Sequence, residues 1–173
     1  MAVTDAVFWF CAGLLGVERI LEMIWAGRNE RRLLKAGYLE YSPRHMSVII
    51  VLHLLYFVSL ITEFTFTPHQ QLQPAFVAFF AVVQILRFWA MSVMGERFTA
   101  RILVKPGEQL VSRGPYRFLR HPIYVVLELE FISLGLLVGA YWTALIFGSA
   151  NALVLLLLRI PAEERAIRSV QQE

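Results

Sequence analysis

Residues 47–60 read Ser47-Val48-Ile49-Ile50-Val51-Leu52-His53-Leu54-Leu55-Tyr56-Phe57-Val58-Ser59-Leu60, an apolar run whose polar groups are one imidazole and three hydroxyls. A helix on the surface of a soluble protein carries a polar outer face. This run offers almost none, and neither do residues 152–158. Extended to its natural limits the run covers about 45–66, enough for the roughly 20 residues that cross a hydrocarbon core. Four further blocks read the same way, at about 3–25, 74–94, 122–138 and 142–158. The expectation is an all-α integral membrane protein with five transmembrane helices. Only Gly139-Ala140-Tyr141 separates the last two, which should form a hairpin.

Composition agrees. Of 173 residues, 58 % are apolar and 17 % charged, where soluble domains have about half and about a quarter. The length suits one membrane domain, 1–173, with an N-terminal two-helix part (1–73) and a core (74–173) expected to carry catalysis. The single cysteine, Cys11, lies within the first block and reads as a small buried hydrophobe. That block lacks a basic leader, begins with Asp5 and contains Glu18, Arg19 and Glu22, so it reads as a helix rather than a signal peptide.

Basic residues fall on one side of this plan. Residues 28–44 hold Arg28, Arg31, Arg32, Lys35 and Arg44; residues 95–121 hold Arg97, Arg101, Lys105, Arg113, Arg117 and Arg120; the tail adds Arg159, Arg165 and Arg168. The other two connections have none. The positive-inside rule then sets the N-terminus outside and the C-terminus in the cytosol. A bacterial inner membrane is the expected location.

Each span also places a polar group under the cytosolic face. At 1.5 Å per residue, Glu18 lies roughly 10 Å deep, His53 about 12 Å, Arg87 about 10 Å and Glu128 about 9 Å. Glu22, Gln84, Glu130 and Asn151 share that half of the membrane. Such groups pair with one another or line a cavity. His53 alone reads as a satisfied interior histidine. The layer as a whole reads as a cavity reached from the cytosol. Arg87 needs an anionic partner there: Glu128, Glu18 or a substrate.

Residues 107–124 contain Gly107, Gly114 and Pro115 just after Pro106, and should be irregular backbone. Pro122 suits the first turn of the fourth helix, with His121 before it. That helix start directs free N–H groups at the cytosolic side.

These elements resemble the isoprenylcysteine carboxyl methyltransferases and related membrane phospholipid methyltransferases. The matching residues are Leu110-Val111, Gly114-x-Tyr116, Arg120-His121-Pro122-x-Tyr124, then Arg159 with Glu163 and Glu164, and Arg87 in the preceding helix; they span roughly residues 80–170. The resemblance implies an S-adenosylmethionine pocket and methyl transfer to a lipophilic small molecule or prenylated substrate beside membrane lipid. Tyr116 and Tyr124 would face the sulfonium, and Glu163 or Glu164 the ribose or amino group. Arg120, Arg159 or the start of the fourth helix (His121, Pro122) would meet the carboxylate, and Leu110 and Val111 the adenine. Arg87 would hold the acceptor. Neither a metal nor a nucleic acid is expected.

The chain departs from the family in carrying Glu108 where eukaryotic members have a histidine, Val126 where a glycine is usual, and Glu128 and Glu130 in the fourth helix. A carboxylate acceptor needs no base, whereas a hydroxyl benefits from one. Glu128 is the candidate base, which tilts the acceptor toward a phenol or pyrone; bacterial-type relatives carry a Glu and an Asn near Glu128 and Asn151. Two other functions fit less well. A nicotinamide-dependent reductase akin to sterol reductases would be longer. A non-catalytic scaffold would have its polar layer paired internally and no cytosolic pocket.

Overall fold

A computed structural model describes residues 2–41, 46–67 and 73–171, with no side-chain detail for residues 2–4. Helices dominate it: α1 (Ala2–Lys35), α2 (Met46–Phe66), α3 (Pro74–Met94), α4 (Pro122–Val138), α5 (Tyr141–Val154) and α6 (Ile160–Gln171). Among the described residues, three helices are long and apolar enough to cross a membrane: Met46–Phe66, Pro74–Arg97 and the continuous Tyr141–Gln171. The protein is a multi-pass membrane protein. Glu18, Arg19 and Glu22 interrupt α1, and α4 has 17 residues.

The structure corrects the expected connections in three places. The 28–44 segment is not all loop, because α1 continues to Lys35. Residues 28–35 are good helix formers without a breaker, and the helix stops where Gly37 takes φ 85°. The fold is all-helical apart from one short ribbon between two connections. Leu39–Tyr41 (β1) pairs antiparallel with Ile102–Val104 (β2), so Glu40 lies opposite Leu103. Finally, the tail after Arg159 is helix. Leu155–Arg159 form a π turn in which the Ile160 N–H bonds the Leu155 carbonyl. Pro161 follows at once, and its missing N–H cannot sustain regular α bonding there. Ala162 and Ala166 of α6 pack on Ile102, locking this last helix to the ribbon.

The core is aromatic and lies away from the basic end. Phe8 stacks on Phe64 with centroids 3.7 Å apart, and Tyr56 on Phe131 at 4.1 Å. Tyr56, Leu60 and Phe64 are the buried stripe of α2, and the Tyr56 hydroxyl donates to the Phe131 carbonyl at 3.0 Å. Glu63 accepts from the free N–H groups of Trp142 (3.1 Å) and Thr143 (2.7 Å), capping α5 from a neighbouring helix.

Gly139, at φ 77°, closes α4 and lets the hairpin turn. Gly135 lets it close, since a Cβ there would sit 2.6 Å from Ala144 Cβ. Gly135→Leu should therefore destabilise the protein by about 1–3 kcal/mol, as overpacking does, and lower the thermal midpoint in detergent. Gly16→Ala, in open space, should stay within about 0.5 kcal/mol of the parent.

Candidate functional site

Between the basic connections and the helices lies a cavity of about 540 Å³, within the roughly 300–1,000 Å³ common for small-molecule sites. Its outer wall comes from the 95–121 connection and α6, and includes Leu110, Val111, Tyr116, Arg120, His121 and Glu163. Its inner wall comes from the helices, with Arg19 and Glu22 of α1, His53 of α2 and Arg87 of α3. Tyr124 and Arg159 stand between the two.

The extension of α1 positions the connection. Asn29, almost fully buried, donates to the carbonyls of Gly95 (3.1 Å) and Phe98 (2.9 Å). Glu30 accepts from the Ala100 and Arg101 N–H groups, both at 3.1 Å. Arg159 works as a strut: its Nε donates to the Tyr124 hydroxyl at 3.0 Å and another nitrogen to the Ala100 carbonyl at 2.7 Å. The Tyr124 hydroxyl in turn donates to Glu163. His121 stacks against Tyr124 and lies 3.9 Å from Glu163 and 3.6 Å from Glu164. Arg120 meets Glu164 at 3.3 Å from an exposed position.

Tyr116 presents a buried hydroxyl with no partner among the described residues. Burial first, and the charge of Glu163 second, push its ionisation up, so it stays a neutral donor. Tyr38 bonds Glu108, which also meets Arg97 at 2.6 Å. Burial and that bond raise the Tyr38 hydroxyl to about 12. Aromatic faces, a carboxylate and an unpartnered hydroxyl around one cavity suit a ligand that is both cationic and rich in hydroxyl and amino groups. The residues therefore fit S-adenosylmethionine.

At the inner wall, Arg87 is clamped by carboxylates. Its Nε and one terminal nitrogen donate to the two oxygens of Glu22 at 2.7 and 2.6 Å, and the other terminal nitrogen to Glu130 at 2.6 Å. Glu18 lies 3.2 Å away. Arg19 donates to Glu22 at 2.8 Å and also to Glu130, and Gln84 donates to Glu130 at 3.2 Å. Arg87 and Glu130 are each 3 % exposed, whereas the Arg19 side chain is 24 % exposed.

Of the residues the sequence nominated, Arg87, Leu110, Val111, Tyr116, Arg120, His121, Tyr124, Arg159 and Glu163 line this one cavity. Pro122 and Glu164 are not among its lining residues, though Glu164 lies 3.6 Å from His121, which is. Glu128 does not reach it: its carboxylate accepts from Asn151 at 2.9 Å and faces Gly148, on α5. Nor does Glu128 partner Arg87. Glu130 and Glu22 do, because two positions along a helix turn Glu130 about 200° away from Glu128. The paired layer matches what a scaffold would have; the cavity does not. Asn29, Glu30 and the β ribbon gave no sequence signal beyond a helix-forming stretch after the first span.

Comparison with known proteins adds the family. Residues 76–169 match the model of the isoprenylcysteine carboxyl methyltransferase (ICMT) family. The chain is 39 % identical over 165 residues to the uncharacterized protein YpbQ of Bacillus subtilis, covering 94 % of this chain and 97 % of that one. It is 27 % identical over 146 residues to an uncharacterized protein of Haemophilus influenzae, covering 81 % and 83 %.

The charge cluster gives a stability prediction. Glu130→Ala leaves two guanidinium groups short of a carboxylate inside the bundle and should cost about 3–5 kcal/mol. Glu164→Ala, which removes a partly exposed pair, should cost under about 1 kcal/mol. Thermal unfolding of the two purified variants checks the difference.

Proposed function

The chain belongs to the isoprenylcysteine carboxyl methyltransferase family, and we propose that it is an integral-membrane O-methyltransferase that uses S-adenosylmethionine. Its acceptor is lipophilic and offers a carboxylate or a phenol or pyrone hydroxyl. The observation that carries this reading is a cavity with Tyr116 and Glu163 on its outer wall, Tyr124 between the walls, and Arg19, Glu22 and Arg87 on an inner wall under apolar helices.

S-adenosylmethionine supplies a methyl group already activated by its sulfonium. Tyr116 and Tyr124 offer aromatic faces to a cation. Glu163, with Glu164 behind it, offers acceptors to amino and hydroxyl groups, and the Tyr116 hydroxyl offers a donor. Arg120 and the N–H groups at the start of α4 suit a carboxylate. Leu110 and Val111 give an apolar seat for a flat ring. Arg159 orients Tyr124 and Glu163 by holding the connection against α4. Arg87, fully engaged by Glu22 and Glu130, fixes the inner wall on which the acceptor's polar head rests. Alignment and exclusion of water are the main demands of such a displacement.

In this reading five helices cross a bacterial inner membrane, with the N-terminus outside and the C-terminus in the cytosol. The clustering of basic residues in the connections at one end of the bundle supports that orientation. Reporters fused at each terminus should be active on opposite sides.

For the cofactor, S-adenosylhomocysteine at about 100 times its Kd should stabilise the purified protein by about 2.7 kcal/mol, and NADPH should not. Glu163→Ala should weaken that shift at least tenfold in ligand concentration. Labelled methyl should pass from S-adenosylmethionine to one of a panel of prenylcysteine analogues, alkyl phenols, alkyl pyrones and ethanolamine lipids. Absence of both the shift and the transfer would overturn the proposal.

A further inference from the structure

The inner wall also carries a titratable side chain outside the charged cluster, His53 of α2. Met46, Ile49 and His53 fall at intervals of three and four along α2, and all three line the cavity. They form one helical stripe. His53 sits about 10 Å beyond Met46 along that stripe, level with Arg19 and Glu130, with which it also lines a small recess. Its ring packs edge-on against Phe131, with centroids 4.9 Å apart.

The tautomer follows from one hydrogen bond. His53 Nδ1 lies 2.7 Å from the Ile49 carbonyl oxygen. A carbonyl only accepts, so Nδ1 carries the hydrogen, and Nε2 of the neutral ring is left with a free lone pair. The charged groups that line the cavity or the recess beside the ring, from neighbouring helices, are Arg19 and Glu22 of α1, Arg87 of α3 and Glu130 of α4. Among these, Arg87 is saturated by carboxylates and Arg19 is the more open guanidinium. A proton acceptor and a cation thus share one wall, while Glu128 faces away to Asn151.

We propose that His53 Nε2 is the general base and Arg19 the anion-facing group of the acceptor site, which suits this chain to a hydroxyl-bearing amphiphile, an acidic phenol or enol, over a carboxylate. The inference rests on the methyltransferase reading and deepens it. The acceptor hydroxyl gives its proton to Nε2, and the oxygen's electron pair forms the new bond to the methyl carbon as the carbon–sulfur bond breaks toward sulfur. The products are a methyl ether, the neutral thioether S-adenosylhomocysteine and an imidazolium, and the last returns its proton to water through the cavity. Arg19 stabilises the charge that builds on the oxygen.

The test uses the purified full chain, with His53→Gln and His53→Asn as paired variants and alkyl phenols of graded acidity as acceptors. A positioned base contributes about 10²–10⁴-fold. Both variants should therefore lose at least 100-fold in kcat/KM on an ordinary alkyl phenol. The loss should shrink toward nothing on an alkyl nitrophenol, which arrives ionised; a packing defect would cost every acceptor alike. A second readout needs no turnover. With S-adenosylhomocysteine present, the absorbance of bound alkyl nitrophenol should show ionisation at a pH at least one unit higher in His53→Gln than in the parent. An even loss across the series, no loss, or transfer confined to carboxylates overturns the proposal and leaves the methyltransferase reading standing. A parent that neither binds S-adenosylhomocysteine nor transfers methyl overturns both.

Discussion

Burying the Arg87 guanidinium among helices costs several kcal/mol unless counter-charges with good geometry surround it. Glu22 and Glu130 provide them, with Glu18 close by, and Arg19 closes the cluster from the other side. The interaction joins α1, α3 and α4, three helices that the apolar effect alone could not register, since a lipid tail is as apolar as leucine. Removing one member leaves the others uncompensated. The cluster is therefore a registry device first. It also sets the polarity of the cavity's inner wall, because Arg19, Glu22 and Arg87 line it.

A second constraint is local to the final helix. Pro161 disrupts regular bonding, a π turn forms before it, and Arg159 ends that turn with its guanidinium spanning Tyr124 and the Ala100 carbonyl. π turns concentrate at functional sites because the extra residue re-aims a side chain without ending the helix. Here it ties α4, α6 and the 95–121 connection together, so the outer wall is held from three directions. The α1 extension holds the same connection from below through Asn29 and Glu30. An irregular segment rich in turn formers thus acquires a fixed shape from helices flanking it.

Much of this was legible beforehand. The apolar blocks marked the helices, and the Arg120–Tyr124 motif with Glu163 and Glu164 marked residues that do meet, as the Tyr124–Glu163 bond shows. Pro122 opens α4 as its chemistry dictates. The misses have physical causes. Residues 28–35 read as loop because a polar stretch after an apolar block has no hydrophobic pattern to announce a helix. The β ribbon is three residues a side, too short for a periodic signal, and its partners lie far apart in sequence.

Sequence alone determined the helical membrane architecture, the gathering of basic residues in 28–44, 95–121 and the tail, and the motif that resembles the family, because each depends on local composition or on residues close together in the chain. The tertiary structure decided the pairings. Arg87 went to Glu22 and Glu130 and not to Glu128, Arg159 became a strut, and His53 turned a defined ring nitrogen away from its own backbone. Rotation of one helix against another sets such partners, and that rotation is fixed by packing across the whole bundle, which no single stretch of sequence encodes.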